Sequence, residues 1–146
     1  MKRCLTLSLA ILPSFLILLS CGKETEKMSE SLVGEWNVVS ITTKSAVIGS
    51  REVDVYLHFG DDGTFAVYQK TGGLRYVRFT GTWTLDSGIL SGVYADGGKW
   101  ACDYKVSLAG GTLTLSSEST PSEISVYKMT DIPESVKENA IEGLTQ

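Results

Sequence analysis

The sequence is poor in the residue types that most often carry catalytic or metal chemistry. His58 is the one histidine among 146 residues, and there are three cysteines. A single imidazole cannot form a zinc site without further ligands, and the alternation pattern places His58 on the solvent face of a strand. Asp61 and Asp62 lack the spacing of a calcium loop and suit a hairpin turn, and no glycine-rich phosphate loop precedes a helix. The sequence therefore predicts no enzyme, no cofactor and no metal site.

A hydrophobic run long enough to span a bilayer is also missing, but the first 20 residues have the pattern of an export signal. Lys2 and Arg3 are positive, residues 5–19 are mostly apolar, and the small Ser20 precedes Cys21. The apolar run of about fifteen residues is interrupted by a proline, whereas a spanning helix needs roughly 20. An export signal is thus favoured over a transmembrane anchor, and an ordinary secretory signal with an incidental cysteine is the other alternative.

The segment Leu18-Leu19-Ser20-Cys21 resembles the lipobox of bacterial lipoproteins. This resemblance implies that residues 1–20 are a removed signal peptide and that Cys21 becomes the N-terminus, acylated on its sulfur and its amine. Two or three acyl chains, at about 0.8 kcal/mol per buried methylene, would hold the protein on a membrane. Gly22, rather than Asp, follows the cysteine, which favours the outer membrane, on its periplasmic or surface face. Residues 21–31 are polar and are expected to form a flexible tether in the cell envelope.

Removal of the signal peptide leaves material for one domain, residues 32–146. Two of the 13 basic residues leave with it, so 11 remain against 17 acidic residues, a formal charge of −6. Such a chain would repel a phosphate backbone, which argues against nucleic acid as a partner. Cys4 is also removed and Cys21 is modified, so Cys102 has no partner for a disulfide within the mature chain.

From residue 32 onward, apolar and polar residues alternate, and glycine-rich turns recur about every eight to twelve residues. The pattern predicts eight strands, at residues 34–41, 52–59, 64–70, 74–86, 89–95, 99–108, 112–117 and 123–129. Most connections are too short to cross a sheet, so successive strands should be antiparallel neighbours. Closure would remove the two exposed edges of such a meander. We therefore predict an all-β fold, an eight-stranded antiparallel up-and-down barrel, with an open two-sheet sandwich as the alternative.

A short helix is predicted after the last strand, over residues 133–144. Asp131 is suited to cap it, and Pro133 and Glu134 suit its first turn. Its apolar stripe should pack on the outside of the barrel and consists of Val136, Ala140, Ile141 and Leu144.

Four features together resemble the lipocalin-like (calycin) class. They are Gly34-x-Trp36 at the start of the first strand, the eight-stranded meander, the long connection at residues 42–51 and the final helix. The resemblance extends over residues 32–129 and is strongest to the small lipocalin-like lipoproteins of Bacteroidetes. It implies that Trp36 lies inside, across the closed end of the barrel. It also implies that residues 42–51 partly cover the open end.

Inward-facing residues of the predicted strands are candidates to line a cavity for a small hydrophobic ligand. They are Trp36, Val55, Leu57, Val77, Phe79, Trp83, Trp100 and Tyr104. The same residues could instead fill the interior completely, in which case the domain would act as a structural or protein-interaction module of the envelope. A candidate surface for such a partner consists of Tyr56, Tyr68 and Tyr76, which should be exposed on successive strands. A cavity of roughly 300 Å³ or more at the open end would favour ligand binding.

The lipobox interpretation makes a direct prediction. Cys21→Ala removes the sulfur that accepts the diacylglyceryl group, so metabolic labelling with radioactive palmitate should be lost and the protein should be released or misprocessed. Undiminished labelling of the variant would contradict the assignment.

Overall fold

The computed structural model describes residues 32–49, 53–73 and 75–144. The predicted signal peptide and tether, Cys21 included, lie outside these ranges. The elements in chain order are β1 (Gly34–Thr42), β2 (Val47–Gly49), β3 (Val53–Phe59), β4 (Thr64–Thr71), β5 (Val77–Asp86), β6 (Ile89–Tyr94), β7 (Tyr104–Ala109), β8 (Thr112–Ser117), β9 (Ile124–Met129), α1 (Glu134–Asn139) and β10 (Ile141–Glu142). No helix in these ranges has the length and apolar character needed to cross a bilayer.

Eight of the strands form a closed antiparallel barrel. The strands β3 to β9 pair in chain order, and β1 pairs with both β3 and β9. The first and last strands of the meander are therefore neighbours, with Trp36 opposite Leu57 on one side and Met129 on the other. This confirms the predicted barrel and excludes the open sandwich.

The β3–β4 hairpin shows why turn residues recur in this chain. The Asp62 side chain accepts hydrogen bonds from the backbone N–H and the hydroxyl of Thr64, at 2.9 and 2.6 Å. Both bonds lower the pKa of Asp62, and the bond from the Thr64 hydroxyl has the larger effect. Gly63 has a φ of +79°, which glycine adopts at little cost. We call this end of the barrel, where β3–β4, β5–β6 and β7–β8 make tight turns, the closed end.

The sixth strand of the barrel, β7, is shorter than predicted. The alternation predicts a strand over residues 99–108, but β7 begins at Tyr104 and pairs with β6 at only two positions. The chain before it turns back on β6, with Val93 bridged to Lys99 and the Trp100 N–H bonded to the Gly92 carbonyl at 3.0 Å. Trp100 thereby packs against the glycine backbone instead of continuing an extended strand.

The C-terminal helix also ends earlier than predicted. Helix α1 stops at Asn139, and Ala140 is already extended. Ile141 and Glu142 then form β10, parallel to β5, because the free edge of β5 offers backbone acceptors: the Ile141 N–H bonds to the Tyr76 carbonyl at 2.9 Å. The expected apolar stripe is correct for Val136 and Ala140 but wrong for its last two members, since Ile141 lies on a strand and Leu144 is 88% exposed. The predicted Asp131 cap is also wrong: Pro133 is the N-cap residue, and no side chain bonds there.

Helix α1 packs on the outside of the barrel, as predicted, and the structure shows that it covers β3 and β4. Ile132 and Val136 are buried there against Ala66 and Tyr68, and Tyr56 and Tyr76 pack at the edge of the same cluster, as does Ala140. Tyr68 is only 6% exposed. The three tyrosines predicted to form an exposed partner surface are instead the docking site of the protein's own helix.

Polar contacts hold α1 to the barrel at Glu35. Its carboxylate accepts a hydrogen bond from the Ile132 N–H and lies 3.0 Å from Lys137 Nζ and 3.6 Å from His58 Nδ1. Burial alone would raise the pKa of Glu35, but the Ile132 N–H and the Lys137 ammonium together outweigh it and lower that pKa. The charged form of Glu35 therefore stabilises the docked helix.

This lowered pKa predicts an acid-dependent loss of stability. The contribution of Glu35 is fully present above the ordinary glutamate pKa of 4.5 and is lost as pH falls below it, because the unfolded state then binds the proton more readily. Glu35→Gln should lower the free energy of unfolding at pH 7 by about 1 kcal/mol. The deficit should shrink as acid protonates the wild-type carboxylate, which urea unfolding at pH 7 and pH 3 would measure.

Glu138→Gln, on the exposed face of α1, is the matched control and should change little at either pH. An equal deficit for Glu35→Gln at both pH values would contradict the electrostatic interpretation.

Candidate functional site

The closed end of the barrel is a filled core. Trp36 is 1% exposed, and its indole N–H donates to the Leu32 carbonyl at 3.0 Å. Phe59 and Trp83 pack edge to face with ring centroids 5.6 Å apart, and the Trp83 indole N–H donates to the Gly60 carbonyl at 3.3 Å. These large side chains occupy the lower half of the interior and form the floor beneath the upper half.

The upper half of the barrel interior is hollow, with a cavity of about 280 Å³. Ile41 and Val53, which flank the first long connection, both lie in its wall, so the cavity is at the open end of the barrel. The lining is Ile41, Val53, Val55, Leu57, Phe59, Phe65, Ala66, Val67, Gln69, Tyr94, Trp100, Ala101, Tyr104, Leu115, Ser125 and Tyr127. Its volume is slightly below the roughly 300 Å³ set as the criterion above, where the range of small-molecule sites begins.

One wall of the cavity is a continuous set of aromatic rings in edge-to-face contact. Trp100 lies 5.0 Å from Phe65 and 6.0 Å from Tyr104 between ring centroids. Tyr94 continues the set, 5.8 Å from Phe65 and 6.1 Å from Phe79. Edge-to-face contacts fix ring orientation, so this wall presents a rigid apolar surface.

A few polar groups interrupt the apolar lining. They are the hydroxyls of Tyr94, Tyr104, Tyr127 and Ser125 and the amide of Gln69. Burial, and then the neighbouring Cys102, raise the pKa of Tyr104, and burial raises that of Tyr127. Both phenols therefore stay neutral near pH 7 and can donate or accept a hydrogen bond.

A second, more open cavity adjoins the first at the mouth of the barrel. It has a volume of about 410 Å³ and is lined by Gln69, Thr71, Arg75, Val77, Phe79 and Ile141. We call it the rim groove. Gln69 lies in the wall of both the inner cavity and the rim groove, so the two spaces meet at this residue.

The structure separates the eight candidate lining residues into three groups. Val55, Leu57, Trp100 and Tyr104 line the inner cavity, whereas Val77 and Phe79 line the rim groove. The remaining two, Trp36 and Trp83, belong to the filled core.

Sequence reasoning missed Ile41 on β1 and every lining residue of the inner cavity on β4, β6, β8 and β9. Leu115 on β8 and Ser125 and Tyr127 on β9 follow the same alternation as the predicted strands and could have been identified from it. Ile41 could not, because the register of β1 against β9 shifts between Val38 and Ser40 and changes which residues face inward.

The chemistry-bearing side chains do not cluster. Across residues 32–49, 53–73 and 75–144, no three His, Cys, Asp or Glu side chains are placed to hold a metal ion. His58 lies beside Glu35 on the outer face, and Cys102 is a free thiol whose sulfur accepts a hydrogen bond from the Ser117 hydroxyl at 3.5 Å.

The packing of Trp100 on Gly92 can be tested by substitution. A Cβ at residue 92 would lie 2.2 Å from the Trp100 ring, so Gly92→Ala must displace the indole. We expect a loss of about 1–3 kcal/mol in the free energy of unfolding and a red shift of tryptophan emission. Gly73→Ala is the matched control, since nothing lies within 4 Å of its Cβ position. Unchanged emission and stability in Gly92→Ala would show that Trp100 does not form this wall.

Comparison with known proteins agrees with this geometry. A lipocalin-like protein from Bacteroides uniformis has a similar structure (18% identity, TM-score 0.56), covering 68% of this chain and 98% of that one. An uncharacterized protein from Bacteroides eggerthii is also similar (17% identity, TM-score 0.51), covering 67% and 98%. These likenesses concern the fold, and the comparison with curated proteins gives no match. Residues 32–115, more than half of the chain, match the lipocalin-like domain profile, and the chain therefore belongs to the lipocalin-like domain family.

Proposed function

We propose that this protein binds a small hydrophobic molecule, without catalysis, in the inner cavity of its barrel. The observation that carries the proposal is the hollow upper half of the interior, about 280 Å³ with mainly apolar and aromatic walls above a filled floor. A fold held only by its core would gain from filling this space, because an empty cavity forfeits packing contacts. Members of the lipocalin-like family generally bind ligands, which supports the same conclusion.

The wall chemistry supports an apolar ligand with one or two polar atoms. The aromatic wall offers a large contact area at low conformational cost, since its rings already pack against one another. The neutral hydroxyls of Tyr104, Tyr127 and Ser125 could bond a polar atom of the ligand and fix its orientation.

We further propose that the binding domain is a lipoprotein of the bacterial cell envelope, anchored by acylated Cys21 in the outer membrane. The lipobox sequence supports this location. A fully extended tether of residues 21–31 reaches at most about 40 Å and joins the barrel at its closed end, next to Gly34, so the domain as a whole would remain near the bilayer. The membrane would then be a nearby source of hydrophobic molecules.

The alternative function, an envelope interaction or structural module with a filled core, has less support. Its candidate surface is the tyrosine set that α1 covers, and the upper interior is not filled.

Native mass spectrometry tests the ligand-binding proposal. The full-length chain is expressed in its own host, and the processed protein is purified from it. This protein should carry a non-covalent small-molecule adduct. Val55→Phe places a larger side chain in the cavity wall and should abolish the adduct. Because the added ring enters empty space, the free energy of unfolding should fall by less than the roughly 1–3 kcal/mol typical of an overpacked core.

Val39→Phe makes the same substitution at a position that is 44% exposed and should leave the adduct unchanged. An adduct that persists in Val55→Phe, or its consistent absence from the wild-type protein, would overturn the proposal.

A further inference from the structure

The rim groove carries a single formal charge among its lining residues, and that charge is positive. Arg75 is exposed there, between apolar side chains, and none of the lining residues that the structure describes is a carboxylate. The chain as a whole is acidic, with 17 acidic and 13 basic residues, so a positive groove is unusual in it. A lone positive charge beside an apolar surface favours the binding of a ligand with an anionic group.

The neighbouring cations are already engaged. Arg78 forms an ion pair with Glu142, and Lys70 lies 4.6 Å above the ring of Tyr76. Arg75, in contrast, has no ion pair or hydrogen bond with any residue that the structure describes. Its guanidinium is therefore free to bind a carboxylate or a similar anion through paired N–H donors.

The C-terminal segment completes the groove. Strand β10 pairs with β5, and a Cβ at Gly143 would lie 2.3 Å from the Phe79 ring, so only glycine allows the segment to lie this close. The same Phe79 ring contacts Tyr94 in the wall of the inner cavity. Phe79 and Gln69 thus stand between the inner cavity and the charged rim.

We propose that the ligand is an amphiphile with one anionic head group, bound at the rim groove by Arg75, and an apolar tail that passes Gln69 into the inner cavity. This inference rests on the proposed function and adds the chemical class of the ligand. A neutral hydrophobic molecule would satisfy the inner cavity but would leave the Arg75 charge and the larger, outer space unused.

Two ligands that differ in the head group test the inference. The cell processes the full-length chain, and the processed protein is purified. It is then reconstituted in phosphatidylcholine liposomes and titrated with laurate or with 1-dodecanol. Tryptophan emission reports binding because Trp100 lies in the cavity wall. The readout for each ligand is the ratio of variant to wild-type affinity, in which partitioning into the lipid cancels.

Arg75→Gln should weaken laurate binding about three- to fivefold and leave 1-dodecanol binding unchanged. Arg75→Lys should retain most of the laurate affinity. Lys105→Gln removes the same charge from an exposed position on β7 and should affect neither ligand.

The outcomes separate this inference from the proposed function. If 1-dodecanol binds but Arg75→Gln leaves laurate unaffected, or weakens both ligands equally, the anionic head group is wrong and the hydrophobic site stands. If neither ligand changes the emission of the wild-type protein, both proposals fail.

Discussion

Backbone pairing of β1 with both β3 and β9 is the constraint on which the rest of this structure depends. It joins the start of the meander to its end, so the inward residues of all eight strands share one interior. Without that pairing the sheet would have two free edges, and neither a filled floor nor an enclosed cavity could form. The β6–β7 pairing is much shorter, and the chain compensates there by packing Trp100 over Gly92.

The size of the side chains along each strand then decides where the interior is filled. Trp36, Phe59 and Trp83 converge at the closed end, where the tight turns bring the strands together. At the open end Val55 and Ser125 are smaller, and the large rings of Trp100 and Tyr104 pack against each other along one wall and leave the space beside them open. An eight-stranded barrel can be either packed or hollow, and here the same barrel is packed at one end and hollow at the other.

The segment after the last strand has two structural roles. Its helix buries the outer face of β3 and β4, with Glu35 accepting bonds from both ends of the docked segment. After the helix, Ile141 and Glu142 pair alongside β5 at the mouth of the barrel. The C-terminus therefore both protects the outside of the barrel and shapes the groove beside the cavity.

The sequence by itself determined the strand alternation, the turns and the closed meander, because these follow from local periodicity and from connections too short to cross a sheet. Four of the eight residues that it predicted to line a cavity do line the inner cavity, because Val55, Leu57, Trp100 and Tyr104 point inward as expected. Only the tertiary structure decided the cavity volume, the register shift that turns Ile41 inward, and the change from helix to strand at Ala140. Each of these depends on contacts between residues far apart in the chain, which no local pattern contains.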